Sequence, residues 1–251
     1  MQGYVQTVPE VSKQLPAPIT RVLVFTATYN EAGNITEWVS RVHQTLPDAD
    51  ILVIDDNSPD GTTEILKELS TSITKLRVIT RTGKLGLASA HLVGMREFRN
   101  GNYETLLTLD ADLSHRPEEL PLLLQELHHS DFVIGTRFGE GKSEYKAWRK
   151  FLSSGGNALA RTLVPTGLSE YTTSMRAFRP LAVDAILNQP SHDEGYAFFL
   201  ECIYDLNKAN ISLGEVPINF MDRGSGESKI PRGQIFKSMV VLVKLALGKR
   251  D

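Results

Sequence analysis

The sequence predicts an α/β protein built on an open, mainly parallel, doubly wound sheet. Two observations carry this. Short runs rich in Val, Ile, Leu and Thr alternate with longer stretches of helical periodicity, and each run hands over to polar residues at its carboxyl end. Strand, helix, strand repeated four times is the pattern that places helices on both faces of a parallel sheet.

The expected strands are RVLVFTAT (21–28), ADILVIDD (49–56), KLRVIT (75–80), YETLLTLD (103–110) and DFVIGTR (131–137). In the fourth, Leu106, Leu107 and Leu109 form a run that reads as a buried strand. Between them lie the helical stretches 34–46, 60–73, 87–98 and 116–129. In the first of these, Ile35, Trp38, Val39 and Val42 recur at helical spacing, and Asn34 with Glu37 reads as a capping box. From about residue 138 the rhythm changes. A long helical stretch (144–163) leads through YTTSMRAFRP to two further helices and the strand-like ISLGEVPINFMD (211–222). This half reads as an elaboration on the first sheet within one domain of residues 21–248. Residues 1–20 are polar and proline-bearing, a flexible arm.

The chain has 251 residues, 41% of them hydrophobic, enough for a sizeable core. A formal net charge of -3 argues against a nucleic-acid binder, which would show a basic face. Cys202, the single cysteine, lies in an apolar helical stretch without an activating neighbour, and reads as a small buried hydrophobe. The first 20 residues lack an apolar core of signal-peptide length. No run of roughly 18 apolar residues is present to span a bilayer. A cytosolic protein is therefore expected.

Ligands of such sheets bind beyond the carboxyl ends of the strands. Those ends supply Thr28, Tyr29, Asn30 and Glu31, then Asp55 and Asp56, then Arg81 with TGKLG behind it, then Asp110 and Asp112, then Arg137. Two carboxylates one residue apart repel unless a cation lies between them. Their reading is either a solvated turn or a site for a hard divalent ion such as Mg or Mn. His115 follows closely enough to stand behind the pair, although a surface position is the simpler expectation. Three common signatures are absent: GxxxxGK[ST], GxGxxG and GxSxG.

TYNE, DDNSPDG, GKLGL, DADLSH, GTRF and GEVPINFMDRGSGESK occur in this order and spacing. Together they resemble inverting glycosyltransferases of family 2, most closely the dolichyl-phosphate mannosyltransferase branch and its bacterial polyprenyl-phosphate relatives. The resemblance covers about residues 20 to 247. It implies a GT-A fold, a nucleotide-sugar donor (GDP- or UDP-linked), a Mg or Mn ion, and transfer of a hexose, mannose first, to a polyprenyl phosphate. By position it implies that Thr28, Tyr29, Glu31, Asp55 and Asp56 line the nucleoside pocket. The resemblance also implies that Lys84 lies near the nucleotide, that Asp110, with Ala111 beside it, approaches the donor, and that Asp110 and Asp112 hold the metal. Arg137 matches the phosphate-binding arginine of GTR, Arg176 the arginine of TGSFR, and Arg223 and Lys229 the acceptor loop.

The match departs from the pattern mainly on the acceptor side. DLTGSFR reads EYTTSMR at 170–176, so that Glu170, Thr173 and Met175 replace Asp, Gly and Phe. SRGAN reads SSGGN at 153–157, with Ser154 in place of an arginine, and PTYNE reads ATYNE, with Ala27 for proline. Two rivals follow. One is an enzyme of the same fold acting on a sugar or metabolite hydroxyl, with Glu170 as the base; the other is a nucleotide-sugar sensor without catalysis. The C-terminal GQIFKSMVVLVKLALGKRD is amphipathic. It reads as a docked helix, with a membrane surface or a membrane subunit as its alternative contact. The resulting expectation is a peripheral protein at the cytoplasmic face of a membrane.

Overall fold

The structure, a computed structural model, describes residues 20–143, 157–190, 195, 197–221, 240–245 and 247. The alternating half forms as expected. Strands β1 (Val22–Thr28), β2 (Asp50–Asp55), β3 (Leu76–Thr80), β4 (Thr105–Thr108) and β5 (Phe132–Thr136) are joined through helices α1 (Ile35–Thr45), α2 (Thr62–Ser72), α3 (Leu87–Asn100) and α4 (Leu120–Glu126). A 3-10 turn, Pro117–Glu119, leads into α4.

Later elements join this sheet instead of lying on it. β7 (Arg176–Phe178) inserts antiparallel between β4 and β5, and β8 (Leu213–Pro217) extends the edge parallel to β5. The seven strands run β3-β2-β1-β4-β7-β5-β8. The stretch expected as one strand at 211–222 breaks at Ile218, and β9 (Asn219–Phe220) leaves to pair with β6 (Lys142–Ser143) in a separate ribbon. The remaining helices are residues 157–163, α5 (Pro180–Leu187), α6 (Ala197–Lys208) and a C-terminal turn at 240–245.

Strand alternation decides the two cores. Leu23 and Phe25, Leu52 and Ile54, and Phe132 and Ile134 face one side, where they meet Phe98 of α3, Val183 of α5 and Phe198 of α6. Val22 and Val24, Ile51 and Val53, and Val133 face the other, against Trp38, Val39, Leu66 and Leu123. A parallel sheet covered on both faces must be apolar on both, and β2 and β5 are buried nearly throughout. Cys202 lies buried in the first core, as its sequence context suggested.

The capping box is not formed. The Asn34 amide donates to Glu31 Oε2 at 2.8 Å, and Glu37 pairs with Arg41 along the helix at 3.2 Å. The first turn of α1 is satisfied by the Glu31 carbonyl, which accepts from the backbones of Asn34 and Ile35. Thr20, assigned to the arm, is bound to Glu104 through its N–H and hydroxyl; residues 1–19 lie outside the described residues. In the C-terminal turn Leu242 and Leu245 enter the core, while Val240, Val243 and Leu247 are exposed. No helix among the described residues is long and apolar enough to cross a membrane.

Helix α3 approaches β1 closely because Gly94 has no side chain. A Cβ there would stand 2.9 Å from the buried ring of Phe25. Gly94→Ala is expected to destabilise the fold by about 1–3 kcal/mol through overpacking, read as a lower denaturant midpoint with an unchanged slope.

Candidate active site

At the carboxyl edge of the sheet, polar residues divide into those that support the rim and those that face outward. Asp55 is 0% exposed. Its carboxylate accepts from Thr28 Oγ1 at 2.8 Å, from the Ser58 N–H at 2.9 Å and hydroxyl at 2.6 Å, and from Thr63 Oγ1. The side chains of Thr28 and Asp55, expected to line a nucleoside pocket, are thus turned to each other in the interior. They hold the 56–63 loop, because an acceptor-only carboxylate buried here needs all these donors. Asp60 braces the same loop from outside. Burial opposes its charge, but bonds from Thr62 and the Ala32 N–H hold its pKa below the usual carboxylate value.

Asp56 pairs with Arg81 and accepts from the N–H groups of Leu85, at 3.1 Å, and Gly86, at 3.3 Å. Arg81 also donates to the Gly86 carbonyl at 2.9 Å and to Ser89 Oγ at 2.6 Å. The loop behind β3 is thereby fixed to the end of β2. It carries Lys84, whose ammonium lies 4.4 Å from the ring centroid of Tyr29. Tyr29 and Lys84 stand together at the rim, a ring face and a cation. Glu31 follows two residues after Tyr29, its N–H bonded to Thr62 Oγ1 at 3.0 Å.

The acidic pair sits on a turn at the end of β4. Trp38 Nε1 donates to the Asp110 carbonyl at 2.9 Å. Asp112 Oδ1 accepts from the Ser114 N–H at 3.0 Å and hydroxyl at 2.6 Å, while Leu113 takes a positive φ of 62°. The Ala111 side chain is buried in the second core, so only its backbone could meet a donor. His115 is not on the surface. It is 1% exposed, with Nδ1 3.5 Å from Asp110 Oδ2. Its apolar partners come from distant chain segments, which no local pattern reveals.

Among the described residues no cluster of three or more His, Cys, Asp or Glu side chains could hold a metal ion. Two carboxylates offer hard oxygens but too few of them, and Mg or Mn ions fill such sets with water and phosphate oxygens. The residues present fit a divalent cation that arrives with a diphosphate.

Arg137 lies at the end of β5. Its Nε donates to Glu170 Oε2 at 2.9 Å, its Nη2 to Thr172 Oγ1 at 2.9 Å, and the guanidinium lies 5.2 Å from the ring centroid of Phe220. Glu170 is fully buried, and its Oε1 accepts from the Thr172 N–H at 2.9 Å and hydroxyl at 2.8 Å. Burial would raise its pKa, yet Arg137 and Thr172 together hold it below the usual value. A carboxylate so held is a weak base, which disfavours Glu170 as a general base, and its bond to Nε steadies the Arg137 side chain. Thr172, which sequence reading passed over, completes that grip.

Arg176 lies in the interior as well. It is 1% exposed and donates to the carbonyls of Thr173 at 2.7 Å, Tyr171 at 2.8 Å and Phe199 at 3.1 Å, with its guanidinium 4.5 Å from the Phe199 ring centroid. Burial lowers its pKa to about 10, which leaves it charged at neutral pH. It fastens the 171–173 turn to α6. Thr173, where the family motif has glycine, is accommodated through a 2.7 Å bond to the Gly135 carbonyl, and Met175 is buried in the second core. Arg223, Lys229 and Ser154 lie outside the described residues.

The family model for glycosyl transferase family 2 matches residues 23–187. The chain belongs to this family. Undecaprenyl-phosphate mannosyltransferase of Micrococcus luteus is 33% identical over 232 residues, covering 92% of this chain and 96% of that protein. Polyprenol monophosphomannose synthase of Mycolicibacterium smegmatis is 36% identical over 226 residues, 88% and 85% of the two chains. Among solved structures, glucosyl-3-phosphoglycerate synthase of Mycobacterium tuberculosis, in complex with Mn2+, UDP and glucosyl-3-phosphoglycerate, superposes with a TM-score of 0.64 at 18% identity, over 92% of this chain and 81% of that one. The GT-A architecture expected from the motifs is the fold the two share.

The buried pair has a pH signature. Because the folded pKa of Glu170 lies below its ordinary 4.5, the pair's contribution is present above that pH and lost as pH falls through the folded value. Glu170→Gln is expected to cost about 3 kcal/mol at neutral pH. It should also flatten the acid limb of a stability profile measured by urea unfolding.

Proposed function

We propose that this glycosyltransferase moves a mannosyl group from GDP-mannose to a polyprenyl phosphate with inversion. The observation that carries the reading is the Arg137 guanidinium at the strand ends, fixed in plane by Glu170 and Thr172. The names of the two relatives support the same acceptor class and sugar, and the chain spans nearly the whole of both.

In this reading Tyr29 and Lys84 meet the nucleotide, with Glu31 beside them. A Mg or Mn ion held by Asp110 and Asp112 would supply Lewis-acid stabilisation to the diphosphate leaving group. Arg137, with Arg223 and Lys229, binds the acceptor phosphate. An acceptor phosphate oxygen, ionised at neutral pH, attacks the anomeric carbon as the bond to the diphosphate oxygen breaks. No proton has to be removed from that nucleophile, which suits a site whose Glu170 carboxylate is already committed. On this reading the protein works as a peripheral enzyme at the cytoplasmic face of a membrane, where it would meet a polyprenyl-phosphate acceptor. The exposed Val240, Val243 and Leu247 are the described part of a C-terminal contact with that surface.

Transfer is tested with GDP-mannose and UDP-glucose as donors, undecaprenyl phosphate and a soluble alcohol as acceptors, and Mg or Mn as the metal. Mannose should pass to the lipid phosphate. Asp112→Ala should lower kcat on the order of a hundredfold or more while the protein stays folded. Arg137→Ala should raise KM for the lipid phosphate more than for the donor. Turnover with the alcohol alone would move the acceptor to a hydroxyl.

A further inference from the structure

The turn bearing the acidic pair is tied to the acceptor side through one buried ring. His115 Nδ1 stands 3.5 Å from Asp110 Oδ2 and 3.5 Å from Ser174 Oγ. The same imidazole meets Phe220 edge to face, with centroids 5.0 Å apart and planes at 83°. Phe220 in turn lies beneath the Arg137 guanidinium, 5.2 Å from ring centroid to Cζ. The contacts therefore run without a break from the Asp110 carboxylate to the Arg137 cation.

The backbone around Phe220 leaves little slack. The Met221 N–H donates to the Ser114 carbonyl at 3.0 Å, joining β9 to the acidic turn itself. Asn219 is held by Glu119, through its N–H at 3.1 Å and its side-chain amide at 2.6 Å. On the other side β9 pairs with β6. A shift of the Asp110 turn must move His115 or break its contacts, and a move of His115 displaces the ring on which Arg137 rests. Close-packed interiors transmit such shifts instead of absorbing them.

We infer that His115 is a positioning residue that couples occupancy of the Asp110–Asp112 end of the site to the placement of Arg137, acting through Phe220. The inference rests on the proposed roles of these two ends, donor and acceptor phosphate. By linkage, the coupling is reciprocal: nucleotide tightens lipid phosphate and lipid phosphate tightens nucleotide. A histidine that merely fills the core would affect stability and leave this coupling alone.

Adjacency does not establish coupling, so the measurement is of coupling itself. The Kd of GDP in the presence of Mn is measured by calorimetry with and without saturating farnesyl phosphate, a short polyprenyl phosphate, on the full chain. The wild type should show a ratio of about fivefold or more. His115→Asn keeps an N–H near the Nδ1 position but removes the ring from Phe220, and should bring the ratio toward unity with the Kd of GDP alone nearly unchanged. Phe220→Leu removes the ring from the other side and should do the same, so the test does not depend on one buried variant folding. Phe220→Tyr, which keeps the aromatic face, should retain the coupling. A ratio that persists in both His115→Asn and Phe220→Leu overturns the inference, as does a wild type that transfers mannose to lipid phosphate yet binds the two ligands independently. Failure of the wild type to bind farnesyl phosphate or to use undecaprenyl phosphate overturns the proposed function and this inference with it.

Discussion

The site depends on a three-residue strand that runs against its neighbours. β7 hydrogen-bonds to β4 on one side and β5 on the other, with Arg176 level with Thr108 and with Ile134. An antiparallel strand in this position begins at the edge where its parallel neighbours end, so residues 169–175 arrive at the rim that carries Asp110 and Arg137. Three bonds fix them there: Thr108 Oγ1 to the Ser174 carbonyl, Thr173 Oγ1 to the Gly135 carbonyl, and the Gly135 N–H to the Met175 carbonyl. Strand spacing then sets the scale of the site. With β7 between them, β4 and β5 stand two spacings apart, about 10 Å. That spacing sets the acidic turn apart from the Arg137 cation along the rim.

Charge is buried on this rim only where donors or carbonyls are supplied in numbers. Asp55 collects four hydrogen bonds, and Arg176 spends its donors on three carbonyls and lies over an aromatic ring. Both are costly to bury and costlier to strip of a partner. Both serve to hold loops in place, Asp55 the 56–63 loop and Arg176 the 171–173 turn. The two aspartates differ in burial: Asp55 is enclosed by Ser58, Thr63 and Thr28, whereas the Asp110 carboxylate is set at the half-buried rim, 3.5 Å from His115 Nδ1.

Those physical reasons also mark what the sequence could reveal. The sheet and its first four helices were legible because period-2 and period-3.6 patterns are local, and the buried set Ile35, Trp38, Val39 and Val42 is the one the spacing predicts. β7 was not legible as an inserted strand, since three residues carry no readable period and its pairing depends on strands far away in the chain. The strand-end rule located the rim but could not sort its members. Asp55 and Asp56 are adjacent and identical in type, yet one closes a loop onto itself and the other anchors Arg81 and the Lys84 loop. His115 was misplaced on the surface for a related reason: Phe220 and Ser174, which bury it, are brought by β9 and β7.

The exchange of Asp for Glu at position 170 bears on the choice of acceptor. The carboxylate here spans two tasks, Oε2 on the Arg137 guanidinium and Oε1 on the Thr172 N–H and hydroxyl. To take a proton from a hydroxyl acceptor it would have to give up its charged bond to Arg137 and become neutral in a place that favours its charge. Both changes oppose base catalysis. An acceptor phosphate makes neither demand, because its oxygen arrives ionised and needs only a fixed cation to meet it. The interaction that disfavours Glu170 as a base is thus the one that fixes Arg137, the cation proposed to meet the acceptor phosphate.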